Sequence, residues 1–459
     1  MAGIGFELRK HLQKGSYTGM FQAYGYAGVI SAGPWILSIL GVMLIGVIGA
    51  SLDIPTVEIR QFSTSVTWLM GTSLILTGLL QLMFTRFVAD RLFEKHLDRI
   101  SANLMGAIWL TTLVSGTLGL LSLPLFTTES FSYQVLMVAN FVVLSNIWIV
   151  VIFVAGAKHY RMIVLAFLFG YTLTVIAALG FRALGQEGLL LGLLIGHSLL
   201  LFLLLFRVLQ DYPAIELARF DFLKKTQIHL PLIAIGFFYN LGIWIDKFLF
   251  WLTPATSEAI VGPLRASLIY DFPIFLAYLS IIPGMAVFLL KIETDFAQAY
   301  ERFYDAVRGT ASLREIEYQG NEMIIAVREG IYQIIKVQGM FVLILFLSGP
   351  YVIEWLDASQ KYIHLYYIDL TGVAMQVLML AILNVLFYLD KLKEALRLTT
   401  TLLISNALFT LVTLKMGPIY YGYGFGLSMT LTTFYGLYLL SKEMEDLEYK
   451  TFMMQRKNT

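Results

Sequence analysis

GFFYNLGIWIDKFLFWL, residues 236–252, and RASLIYDFPIFLAYLSIIPGMAVFLLKIETDF, residues 265–296, are two long apolar runs separated by a short turn region. A helix needs about 20 mostly apolar residues to cross a bilayer, and both runs qualify. Three formal charges lie well inside them: Asp246, Lys247 and Asp271. A charge at bilayer depth costs a few kcal/mol or more, so it should face a protein interior or a wet cavity and have a partner. The second run also carries Pro273 and Pro283. Each removes a backbone hydrogen bond and bends its helix. Charged, kinked neighbouring spans in mid-chain point to a translocation route.

The rest of the composition agrees with a membrane chain. Of 459 residues, 58% are hydrophobic and only 14% charged, whereas a soluble domain is nearer half apolar and a quarter charged. The net charge of +1 gives no nucleic-acid signature. There are no cysteines, which excludes disulfides, thiolate metal sites and a cysteine nucleophile. The six histidines are scattered without a metal-protease spacing. No cofactor or metal site is expected. The first apolar run is too long for a cleavable signal, and Ala2, where myristoylation needs a glycine, argues against that modification.

Twelve spans follow, near 22–50, 64–89, 103–126, 132–154, 160–181, 188–210, 229–252, 266–290, 336–357, 366–389, 395–415 and 420–441. Their continuous apolar character favours helices over an alternating barrel. Lys and Arg then divide sharply between alternate connections. One set holds 26 of the 32, the other set five, and Lys247 lies within a span. This bias places both termini in the cytoplasm. The connection around 211–228 is the expected linker between a first bundle, residues 1–210, and a second, residues 229–459. The fold class is thus all-α polytopic, twelve helices in two six-helix bundles.

Several residues carry two readings each. Ile4, Leu8 and Leu12 share a helical face, which suits either an interfacial helix or a basic flank that fixes topology. Pro34, in Gly33-Pro34-Trp35 of the first span, is either a gate or a static bend. Asn103, Asn140 and Asn146 suit interhelical packing, and His197 suits a satisfied core imidazole. In the connection 291–337, Phe296, Tyr300, Phe303 and Val307 recur at helical spacing, as in an amphipathic helix on the inner face. Glu354 and Asp357 are ordinary interface residues or line an exit.

In the seventh span, Tyr239, Ile243, Asp246 and Phe250 share one face, and Asn240 and Lys247 another roughly 100° away. Lys247 is expected to pair with Asp246 or Asp271. A charged edge flanked by Tyr239, Trp244, Phe248 and Trp251 is like a carbohydrate-handling surface, where aromatics stack on sugar faces. The alternative is an ion pair that only holds two helices together.

The opening MAGIGFELRK, the segment WIDKFLFW (244–251), and YDFPIFLAYLSIIPG (270–284) followed by KIETDF (291–296) resemble the PelG family. That family consists of inner-membrane exporters of the Pel exopolysaccharide. The resemblance implies a flippase-like, MATE-like arrangement of two bundles around a cleft. It implies a cargo of N-acetylated amino sugars. It also implies work with a cytoplasmic glycosyltransferase and membrane subunits of the Pel synthase complex, in biofilm formation. It supplies no transport residues, so Asp246, Lys247, Asp271, Asn240, Tyr239, Trp244 and Trp251 are candidates from their chemistry alone. Two other readings stand beside it. A lipid-linked oligosaccharide flippase or cation-coupled drug exporter would share the plan, but a charge cluster netting −1 suits a pyrophosphate poorly. A membrane-embedded polymerase or ligase needs a convergent acid/base constellation, which the spans do not offer. No P-loop is present to drive an ATP motor.

Overall fold

The computed structural model describes residues 17–52, 54–96, 99–156, 160–212, 216–225, 227–355 and 363–447, with side chains described at these positions except 17–23, 26, 29–36, 156, 160 and 161. The chain folds as helices α1 (Tyr17–Ser51), α2 (Thr56–Phe93), α3 (Ile100–Ser122), α4 (Phe131–Gly156), α5 (Tyr160–Gly180), α6 (Gly185–Asp211) and α7 (Leu230–Leu252). An eighth helical segment is compound. It runs through α8 (Leu268–Tyr278), α9 (Ile281–Leu290), a π-helical turn Lys291–Phe296 and α10 (Ala297–Arg308). Then come α11 (Leu313–Trp355), α12 (Ile363–Tyr388), α13 (Leu392–Met416) and α14 (Tyr423–Glu445). Counting the compound segment once, these match the twelve expected spans one to one. Among the described residues, ten are long and apolar enough to cross a membrane; α1, with the shorter apolar stretch Leu37–Ser51, and α14 are the other two helical segments.

Two compact units divide the chain. One comprises 33–268, the other 1–32 together with 269–459. The expected boundary in 211–228 differs from this division, for two physical reasons. First, α7 packs along α2, so the seventh span belongs with α2–α6 and the later part of α1. The backbones meet where Gly78 faces Gly236: a methyl built on Gly236 would fall 2.3 Å from the Gly78 carbonyl oxygen. Second, the 211–228 connection is pinned to its own unit. The Arg219 N–H donates to the Ala102 carbonyl (2.8 Å), and Phe222 is buried edge-on against Phe84 and Phe87. The passage of α1 from one unit to the other falls at Gly33-Pro34.

The turn region after α7 is a hairpin of β1 (Glu258–Val261) and β2 (Leu264–Ala266), paired antiparallel as Glu258 with Ala266, Ala259 with Arg265 and Val261 with Leu264. Ile260 and Val261 favour extended backbone. Gly262, at φ +48°, makes the left-handed turn that a side chain would strain. The hairpin is tied to α2 by the ion pair Arg60–Glu258 (2.5 Å) and by the Trp68 ring N–H donating to the Arg265 carbonyl (2.8 Å).

The amphipathic helix expected after residue 291 is α10; Phe303 within it and Phe296 just before it are fully buried. The remainder of that connection is not a loop. α11 starts at Leu313 and continues unbroken through Trp355, 43 residues or roughly 65 Å at 1.5 Å per residue. Ile316, Gly320, Met323, Val327, Gly330, Ile334 and Gln338 bury one stripe of it. That alternation of three- and four-residue steps is the signature of one continuous helix. Residues 1–16, the tail beyond 447 and Asp357 lie outside the described residues; Glu354 is exposed near the end of α11.

Candidate functional site

Asp246 and Lys247 sit on α7 and are 0% and 1% exposed. The Lys247 ammonium donates to both carboxylate oxygens of Asp246, at 3.1 and 3.4 Å, and to the Ile243 carbonyl one turn back, at 2.9 Å. Successive residues on a helix do not normally face one another. Here the long lysine stem folds back along its own helix to meet the carboxylate. Of the two expected partners for Lys247, the structure shows Asp246. Asp271 lies in the first turn of α8, partly buried, in the other unit.

An aromatic ring borders the pair, and an aromatic cluster lies on the same helix. The ammonium lies 5.7 Å from the centre of the Trp244 ring, within cation–π range. Trp251 packs on Trp68 at 5.0 Å and on Phe248 at 5.1 Å, and Phe248 meets Trp68 edge-on at 5.2 Å. Gly71 on α2 makes room for Trp244: a methyl there would fall 2.9 Å from the indole. Trp244 and Trp251 are both buried, so in this structure their faces are spent on protein packing and are closed to a sugar ring. Asn240, also buried, donates to Gln81 of α2 (3.4 Å), which donates in turn to Thr77 (3.0 Å). Tyr239 is only partly buried. The structure therefore brings together Asn240, Trp244, Asp246, Lys247 and Trp251 along one helix. It adds Trp68 and Gln81 from α2, which the sequence reading missed. Gln81 was visible as the lone amide in LILTGLLQLMF, residues 74–84.

The prolines have distinct outcomes. Pro273 is buried inside α8, which continues past it. Pro283 explains the break between α8 and α9. A proline ring clashes with the carbonyl four residues back, here Leu279. At that place the helix tightens, with Leu279 N–H donating to Leu276 (3.2 Å) and Ser280 N–H to Ala277 (2.9 Å). Gly284 N–H and Ser280 C=O, which an unbroken helix would join, are both met by the Gln338 carboxamide of α11, each at 3.0 Å. One side chain thus splices the interrupted helix. Pro34 lies in α1, in the portion whose side chains are outside those described.

Of the interior amides, Asn140 reaches the Leu190 carbonyl (3.1 Å) and Asn146 the Thr112 hydroxyl (2.8 Å), so both link helices. His197 meets the Tyr171 hydroxyl at 3.1 Å. Asn103 differs. Its carbonyl accepts the Asp221 N–H (2.8 Å) and its amide donates to the Asp221 carboxylate (3.2 Å), pinning the connection after α6. Burial alone would push the Asp221 carboxyl up. Hydrogen bonds from Lys224, Asn103 and Arg219, with the charge of Arg219, outweigh it and bring the value down to about 2.

A family model described as "PelG: Putative exopolysaccharide Exporter (EPS-E)" matches residues 1–452. No curated protein sequence matches the chain. The fold is similar to that of a MATE multidrug transporter in its outward-facing conformation (TM-score 0.66, 13% identity, 92% of this chain and 96% of that one). A MATE crystal structure in the bent conformation is similar too (TM-score 0.67, 13% identity, 93% and 97%). So is a MOP-superfamily transporter from Pyrococcus furiosus described as having a binding pocket of reversed polarity (TM-score 0.65, 14% identity, 92% and 96%).

Proposed function

Because the chain belongs to the PelG family of exopolysaccharide exporters, we propose that it carries the Pel polysaccharide from cytoplasm to periplasm across the bacterial inner membrane. The observation that carries this reading is the extent of the family match, residues 1–452, on a chain with a transporter fold. Both termini lie in the cytoplasm on this reading, supported by the Lys and Arg bias of alternate connections. The protein moves polymer and makes no bonds itself; a cytoplasmic glycosyltransferase and membrane subunits of the same synthase supply the chain.

The cargo meets Asp246, Lys247, Asp271, Asn240 and Tyr239 when the interior opens, and the prolines of α1, α8 and α9 are the bends that let it open. Support comes from a fully buried ion pair in a helix of bilayer length, an expensive arrangement where apolar residues would pack as well. Secretion tests the reading. Cells depleted of this protein should retain polymer in the cytoplasm and release none. Undiminished secretion rejects the exporter. Polymer absent from both sides points to the synthase instead.

A further inference from the structure

α11 has 43 residues, about twice what a bilayer needs. Residues 313–335 precede the expected ninth span, and with Lys336 they carry seven charges, too many for lipid. This part of the helix therefore projects from the bilayer by roughly 35 Å at 1.5 Å per residue. One side of it is spent: the stripe from Ile316 to Gln338 is buried, and α11 packs on α9, α10 and α12 of its own unit.

The opposite side is open. Tyr318, Ile325 and Tyr332 are 57%, 47% and 61% exposed. They stand seven residues apart, so they form a straight apolar stripe about 180° round the helix from the buried one. Its two flanks differ in sign. Glu315, Glu322 and Glu329, also seven apart, run along one edge, and Arg314, Asn321 and Arg328 along the other, each about 40–60° from the stripe. Among the described residues, none of Arg314, Arg328, Glu322 and Glu329 is ion-paired within the chain.

We propose that this face is where two copies of the chain meet, as a parallel pair about a twofold axis along the membrane normal. The bilayer holds every copy in one orientation and at one depth, so two such extensions can approach only parallel and in register. A twofold axis between parallel helices sets the acidic edge of each against the basic edge of the other. Glu329 of each copy then faces Arg328 of its partner, Glu315 faces Arg314, and Glu322 lies beside Asn321, on both sides of the seam at once. Tyr318, Ile325 and Tyr332 meet their own counterparts between these edges. The charge pattern is thus complementary to itself in the one arrangement that the membrane allows. Among the described residues, the span of α11 is also the least buried of the ten long apolar helices, 22% against 33–67%, so its own chain leaves this helix open to a neighbour. Three layers would not hold free peptides together; two spans in one bilayer supply the local concentration and the orientation. The pairing does not depend on the identity of the cargo.

Disulfide trapping in membranes tests this with the full chain. The protein has no cysteine, so Ile325→Cys places a single thiol on the seam. Oxidation with copper–phenanthroline should give a dimer of twice the chain's mass. Glu317→Cys, exposed on the same helix about 100° from the stripe, should give severalfold less. In the Ile325→Cys protein, Arg328→Glu sets like charges against Glu329 of the other copy and should lower the yield roughly tenfold. Adding Glu329→Arg exchanges the two edges, restores opposite charges across the seam and should recover the yield. The proposal is overturned by no dimer from Ile325→Cys, by equal trapping from Glu317→Cys, or by a yield indifferent to Arg328→Glu. A double variant no better than the single overturns it too, as does trapping of Ile325→Cys on a protein of different mass, which would mark the face as a partner's docking site.

Discussion

Lys247 turns back on its sequence neighbour Asp246, with 3.1 Å between ammonium and carboxylate, and both are sealed from solvent. Each neutralises the other within one helix. Breaking a buried pair by neutralising one member is costly, so Asp246→Asn should cost about 3–5 kcal/mol of stability. Asp246→Asn with Lys247→Met together should recover most of that loss. Thermal unfolding in detergent, compared across the single and double variants, reads the coupling.

The α2–α7 seam predicts a sharp contrast between glycines. Gly236→Ala drives a methyl to within 2.3 Å of the Gly78 carbonyl oxygen. Neither backbone can yield cheaply, and overpacking of this kind costs about 1–3 kcal/mol. Gly339→Ala on α11 meets nothing within 4 Å. It should be neutral, or stabilising by about 1 kcal/mol from helix propensity alone. The same unfolding measurement checks both.

Gln338 holds the two ends of a broken helix. Gln338→Leu strands the Gly284 N–H and the Ser280 carbonyl, each buried, at about 1–3 kcal/mol apiece. Backbone amide exchange across 279–285 should accelerate in that variant while exchange in α12 is unchanged. Gln338→Glu keeps the acceptor for Gly284 but loses the donor to Ser280, and should fall between.

Asp221 ties the connection after α6 to Asn103, Arg219 and Lys224. Its carboxyl is held down at about 2 from an ordinary 3.8. A depressed carboxyl contributes stability that is complete above its unfolded value and drains away as pH falls through the folded one. The native protein should therefore exceed Asp221→Asn in stability at pH 7, with the gap narrowing from about pH 4 downward and closing near pH 2. Paired unfolding curves over that range check the sign.

Much of the architecture was legible because lipid imposes a length and a sign rule that short peptides of any fold do not. The twelve runs became twelve helical segments, and a partner for Lys247 was expected in Asp246 or Asp271, of which the structure shows Asp246. What escaped reading depended on partners distant in sequence. Gln338 looked like one amide in an apolar run until Pro283, 55 positions earlier, supplied the broken bond that it repairs. Asn103 suited helix packing until Asp221 arrived to fill it. The first 20-odd residues of α11 fall in the connection 291–337, outside the expected ninth span, because their charges dominate a hydropathy average. The buried stripe Ile316, Gly320, Met323, Val327 was present all along as a spacing. Trp244 and Trp251 were read for their faces, and the sequence did not say that Gly71 and Trp68 would claim them.

On the function proposed here, the sealed pair in α7 serves the cargo and not the fold. Polymer released by cells carrying Asp246→Asn with Lys247→Met measures it, because the double substitution removes both charges of the pair together. With the variant in the membrane at wild-type abundance, export should fall severalfold and polymer should accumulate inside. Export equal to wild type at that abundance contradicts the claim.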